Sequence, residues 1–217
     1  MKETGRFVVF EGVGAAGKGT QINLAKDLLQ RNGFDVMTTR EPGGTSGGEE
    51  IRQLIFKLRG EHLITPGEQM VLFFASRRLL VKEVLKPNLA AGKVILGDRF
   101  YTSTRAYQGY AEGGDMKKIE ALIRVGLDGY KPDAVIFLDV SSQVAISRLK
   151  KEGNDDPFDR SNVEYFERLV AGYREMAGVC WGDLKWYVVN GEKSIEEISR
   201  GVRGILENIL ETKLQRP

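Results

Sequence analysis

Apolar residues along this chain gather into five short runs: RFVVFE (6–11), DVMTT (35–39), KVILGD (93–98), AVIFLDV (134–140) and KWYVVN (185–190). Each is brief and rich in β-branched residues and lacks the strict alternation of a half-exposed strand, the pattern of strands covered on both faces. Between these runs, apolar positions recur at helical spacing over 18–31, 48–58, 67–91, 102–112, 115–129, 142–152, 161–178 and 194–212. Strands alternating with helices predict an α/β fold, a five-stranded parallel sheet with helices packed on both faces. One segment breaks the alternation. KKEGNDDPFDRSN (150–162) is polar and interrupted by Gly and Pro, and is expected to form a flap on a single 217-residue domain.

Composition narrows the possible partners. With 32 Lys and Arg against 30 Asp and Glu, the net charge is +2, too nearly balanced for the broad positive field that draws nucleic acid or an anionic membrane. Any basic site must therefore be local. The single cysteine and single histidine exclude a disulfide within the chain and a His/Cys metal cluster. The opening MKETGRF has no signal-like apolar core, and no run has the length of a membrane span, so a soluble, cytoplasmic protein is expected.

The first strand runs directly into GVGAAGKGT (12–20), four glycines and two alanines around one lysine. Small residues let the backbone curl and leave its N–H groups uncovered. Gly12, Gly17 and Lys18 satisfy G-x-x-x-x-G-K with a strand before and a helix after, so Gly12, Val13, Gly14, Ala15, Ala16, Gly17, Lys18, Gly19 and Thr20 are read as a phosphate cradle with Lys18 reaching the transferable end. The hydroxyl residue that usually follows the lysine is replaced by Gly19, with Thr20 next. A magnesium ion is then held through water and a carboxylate elsewhere, or Thr20 takes over part of the task. A guanine-reading N-K-x-D and a D-x-x-G are both absent, which sets a GTP-driven switch aside.

VILGDRF places Asp98 and Arg99 just past the third strand, at the carboxyl edge where open α/β sheets bind ligands. Asp98 suits magnesium or its waters, and Arg99 can fork a second phosphate. Asp139, ending the fourth strand, is a rival carboxylate ranked second because no arginine follows it.

FEG…GKGTQ, REPGGT (40–45), LFFASRR (72–78), DRF…STRAYQG (98–109) and KPD…FLDV (131–140) resemble, in order and spacing, bacterial thymidylate kinases, which have a P-loop NTPase-type three-layer sandwich. The resemblance implies ATP and Mg²⁺ at the loop and dTMP as acceptor. It gives Phe73, four residues before Arg77 on one helix face, the task of stacking on thymine while Arg77 donates to a base oxygen. It brings Arg40 and Arg52 with Arg99 to the acceptor phosphate, Thr104 and Gln108 to the base, and Tyr107 to the sugar, where a ring excludes a ribose 2′-hydroxyl. It also implies a homodimer. Two positions depart from the family pattern. Gly14 stands where a carboxylate is usual, leaving Glu11 or Glu41 to compensate, and the usual D-R pair of the flap reads Asp156-Pro157, with Arg160 displaced. Arg148, Lys150, Lys151 and Arg160 are the cations available there, one or two of which are expected over the transferring group. The alternatives are an adenylate kinase-like enzyme, whose G-[FY]-P-R pattern is missing, and a non-catalytic ATP-binding protein.

Overall fold

A computed structural model describes residues 5–127, 129–153, 158 and 162–215. Five strands, β1 (Arg6–Glu11), β2 (Val36–Arg40), β3 (Val94–Asp98), β4 (Ala134–Asp139) and β5 (Trp186–Asn190), form one parallel sheet in the order β2-β3-β1-β4-β5. The helices are α1 (Lys18–Arg31), α2 (Ser46–Gly60), α3 (Pro66–Leu80), α4 (Lys86–Ala90), α5 (Tyr101–Thr104), α6 (Met116–Gly126), α7 (Ser142–Glu152), α8 (Val163–Gly178) and α9 (Ile195–Leu210). All five strands agree with the apolar runs to within a residue or two.

Two-residue alternation in β1 builds the layers. Val8 and Phe10 face one hydrophobic cluster with Leu96 and Ile136, while Phe7 and Val9 face the other with Ile95 and Val135. Both faces are buried, which is why the run contains no polar position between Arg6 and Glu11. Central β1 lies between β3 and β4, so the loop after it opens at the carboxyl edge with Asp98 on one side and Asp139 on the other.

Two of the expected helices change pitch. The stretch 67–91 is α3, a π-helical turn at Val81–Leu85 and then α4, with the Lys86 N–H bonded five residues back to Val81 O. Pro87 is the physical reason: it has no N–H for an ordinary helical bond, so the ladder slips by one residue ahead of it. The stretch 102–112 is the short α5 followed by a π-helical segment, Arg105–Ala111, closed by Glu112 N–H to Tyr107 O at 3.0 Å. A 3₁₀ turn at Trp181–Asp183 has no counterpart in the apolar pattern. The expected flap begins later than 150, because α7 continues through Glu152 and carries Lys150 and Lys151 in its last turn.

Candidate active site

The loop between β1 and α1 is held by its own backbone. Gly12 has φ +142°, and a Cβ there would meet Leu138 O at 2.8 Å, so only glycine fits against β4. Ala15 at φ 54° and Gly17 at φ 92° turn the chain into α1. Helices α2, α3, α6, α7, α8 and α9 each begin with a side-chain cap, from Thr45, Thr65, Asp115, Ser141, Asn162 and Ser194. Helix α1 begins at Gly17 without one, leaving its first N–H groups directed into the loop, the arrangement that receives an anion. Lys18 is buried and folds back over the curl, its Nζ donating to Gly12 O at 3.2 Å and Val13 O at 2.9 Å. Thr20 is exposed in the first turn of α1, and a Cβ at Gly19 would meet open space.

Arg99 leaves β3 with φ 70°, a conformation costing a non-glycine residue about 1–3 kcal/mol, and functional sites are where such strain gathers. This turn returns the guanidinium to the loop, where Nη1 donates to Gly12 O at 2.9 Å and Nη2 to Tyr107 Oη at 2.9 Å. Glu11 lies beneath it, fully buried. Its two oxygens accept from Phe100 N–H at 3.0 Å, Ser103 Oγ at 2.6 Å, Tyr173 Oη at 2.8 Å and the Thr102 hydroxyl. Ser103 and Tyr173 also meet Arg99, so Glu11 anchors the groups that hold the arginine. It therefore does not stand in for the carboxylate missing at Gly14. Neither Tyr173 nor Ser103 was singled out from the sequence, since a tyrosine in the middle of α8 and a serine in a polar run carry no pattern that separates them from packing residues.

Asp98 ends β3 with Oδ1 buried and without a protein partner, the condition of a carboxylate set to take a cation. The rival Asp139 is already engaged, accepting from Arg174 Nε at 3.0 and 3.1 Å.

Across the cavity, Arg77 on α3 is 1% exposed and paired with Glu41, donating from Nε at 2.7 Å and lying 2.6 Å away at Nη2. Its Nη2 also donates to Thr104 Oγ1 at 3.2 Å, while Nη1 and Glu41 Oε1 are buried without partners. Burial pushes the Glu41 carboxyl up to about 7, with Arg77 pulling in the opposite sense. Phe73 lies one helical turn before Arg77, and the two share the cavity wall as their spacing predicts. The π-helical segment brings Tyr107 and Gln108 to the same wall with Thr104. Gln108 Nε2 donates to Gln69 Oε1 at 3.3 Å.

The cation cluster differs from expectation in detail. Arg40, Arg52 and Arg99 all line the cavity, but each guanidinium is bound to protein: Arg40 to Glu49 at 2.8 Å, Arg52 to Pro42 O at 3.2 Å and over the Phe56 ring at 4.2 Å, and Arg99 to the loop. Phe56 was missed, although the i, i+4 spacing from Arg52 that paired Phe73 with Arg77 applies equally to it. Arg148 belongs to α7, not to a flap, and its guanidinium donates to Ala15 O at 3.3 Å and Gly191 O at 2.9 Å, bracing the outer side of the loop. Arg160 and the Asp156-Pro157 pair lie outside the described residues.

One cavity of about 250 Å³ is lined by Gly14, Ala15 and Lys18 from the loop, by Asp98 and Arg99 from the β3 edge, and by Phe73, Arg77, Thr104, Tyr107 and Gln108. A phosphate cradle and an aromatic, arginine-lined slot thus face each other with a strand-end carboxylate between them.

Comparison with known proteins agrees. The thymidylate kinase family profile matches residues 10–202. Thymidylate kinases of Kosmotoga olearia and Pelodictyon phaeoclathratiforme are 36% and 40% identical, the first over 90% of this chain and 92% of its own length, the second over 78% and 81%. The crystal structure of thymidylate kinase from Ehrlichia chaffeensis superposes with a TM-score of 0.75 at 29% identity, covering 93% of this chain and 98% of that one.

Proposed function

The chain belongs to the thymidylate kinase family, and from that premise we propose how its own residues move the γ-phosphoryl group of ATP to the 5′-phosphate of dTMP, giving ADP and dTDP. The observation that carries the assignment is the shared cavity, in which the loop and the acceptor residues line one space and not two. Phosphoryl transfer asks the protein mainly for positioning and charge neutralisation. The loop N–H groups and Lys18 hold the donor phosphates, Lys18 exchanging its carbonyl partners for phosphate oxygens. Arg99 stands where the two phosphates meet, and Arg40 and Arg52 turn from Glu49 and Pro42 toward the acceptor phosphate. Phe73 stacks on thymine, the unpartnered Nη1 of Arg77 donates to a base oxygen, Thr104 and Gln108 border the base, and the Tyr107 ring lies at the deoxyribose. Glu41, which lines the cavity, fixes the Arg77 plane, and its Oε1 is buried without a partner.

Asp98 is the residue that would hold magnesium, directly or through water, with Thr20 as a further oxygen; the ion neutralises charge on the donor phosphates. A protein site with few carboxylates suits magnesium, which keeps several waters and binds largely through substrate phosphates. Among the described residues no group of three or more His, Cys, Asp or Glu side chains is placed to hold a metal ion by itself. Arg148 braces the loop, and Arg160 is assigned to the transferring group. Small nucleotides are the partners proposed, with no nucleic acid or membrane. No helix among the described residues is long and apolar enough to cross a membrane, and a cytoplasmic location belongs to this proposal.

The test is a panel of nucleoside monophosphates with ATP and Mg²⁺. dTMP should be phosphorylated far faster than AMP, CMP or GMP. Turnover of AMP in preference would return the assignment to an adenylate kinase-like enzyme, and turnover of none to a non-catalytic nucleotide-binding protein.

A further inference from the structure

The cavity contains a ring that neither the loop motif nor the acceptor motifs account for. Phe158 follows α7 in the chain, yet its side chain is buried among rings from other elements. Its centroid lies 5.9 Å from Phe73 on α3, and 6.0 Å from both Phe56 on α2 and Tyr107 in the π-helical segment. The contacts are tilted or edge-to-face, with interplanar angles of 57°, 57° and 80°, the arrangements aromatic quadrupoles favour. The guanidinium of Arg59 covers the ring at 3.8 Å and is itself held by Glu112 at 2.6 Å and Gln69 at 3.1 Å. The ring is held from one side by a fixed cation and presents itself to the same space as Phe73.

We propose that Phe158 is a specificity-determining residue for the acceptor, its ring forming a further wall of the thymine slot beside Phe73 and Tyr107. The inference rests on the thymidylate kinase reading and extends it to a residue outside the acceptor motifs. Phe158 lines the cavity of about 250 Å³ together with Phe73 and Tyr107. Arg59 acts through the ring as a positioning residue. Because Arg59 shares Gln69 with Gln108, the aromatic wall and the amide bordering the base are tied to one anchor.

The experiment compares Phe158→Ala, Phe158→Leu and Phe158→Tyr in steady-state kinetics, with 2-deoxyribose 5-phosphate as a competitor that has the sugar and phosphate but no base. Phe158→Ala should raise KM for dTMP roughly tenfold, the scale of losing one face of base stacking, and leave KM for ATP and inhibition by deoxyribose phosphate within about twofold. Phe158→Tyr should stay near wild type and Phe158→Leu fall between. Should Phe158→Ala fail to fold, the Leu and Tyr variants carry the same comparison. An unchanged KM for dTMP would overturn the proposal, as would a lowered one, which marks a ring that obstructs the base, or an equal rise for ATP and deoxyribose phosphate, which marks a structural role. Failure of the wild-type protein to phosphorylate dTMP would instead overturn the underlying reading, so the two failures are distinguishable.

Discussion

Lys18 is a buried cation whose Nζ is bonded to two loop carbonyls, Gly12 O and Val13 O. That arrangement costs little to exchange, because an ammonium turns from carbonyl dipoles to phosphate oxygens without a change of backbone. Lys18→Met should therefore lower kcat by about 10²–10³-fold, the usual loss when one preorganised donor to a developing charge is removed. Circular dichroism and thermal midpoint should remain near wild type; activity close to wild type would contradict the role of Lys18. Glu41 offers a different test. Its carboxyl is raised in the folded state to about 7 from an ordinary 4.5, chiefly by burial. The native state thus binds this proton more tightly than the unfolded chain does. The stabilising contribution is complete below the unfolded value and is lost as pH rises through the folded one. Glu41→Gln should flatten the fall in thermal midpoint between about pH 5 and pH 7, and a slope identical to wild type would show that Glu41 does not titrate there.

At the scale of elements, the site is an assembly of helix faces. Helix α3 contributes Phe73 and Arg77 from one stripe because residues four apart lie one above the other. Phe73→Ala should raise KM for dTMP by the value of one stacked base, about 1–3 kcal/mol or roughly 5- to 150-fold, with KM for ATP changed by less than about twofold. Equal effects on both substrates would move the base pocket elsewhere. The π-helical segment shows what periodicity conceals. A π-helical stretch of seven residues is too short to declare its own period in the apolar pattern, so Arg105–Ala111 reads as ordinary helix in the sequence. The slipped ladder nevertheless decides the direction of Tyr107 and Gln108. The Pro87 slip had a visible cause in the sequence, whereas the one at 105–111 had none.

At the scale of the whole molecule, the parallel sheet places every chemically active loop at one edge, since each strand exits in the same direction. Leu54 on α2 and Val71 on α3 are exposed apolar residues, at 44% and 58%. The homodimer that the family resemblance implies is a proposal that substitutions at these two positions can test. The protein should sediment at micromolar concentration with twice the chain mass, and Leu54→Glu combined with Val71→Glu should reduce it to a monomer. A wild-type protein that sediments as a monomer would exclude the dimer.

The chain by itself determined the strand count, the parallel α/β architecture and the glycine-lysine loop motif, because each is written locally in apolar runs or a fixed spacing, whereas the acceptor-slot residues came only from the family resemblance. Tertiary structure alone decided which partners those residues hold. The burial of Glu11 under Arg99, the pairing of Glu41 with Arg77, the capture of Asp139 by Arg174 and the arrival of Phe158 among rings from three other elements all join residues far apart in the chain. Such contacts depend on how helices cross the sheet and on competition among several available charges and rings, and no local spacing encodes the outcome of that competition.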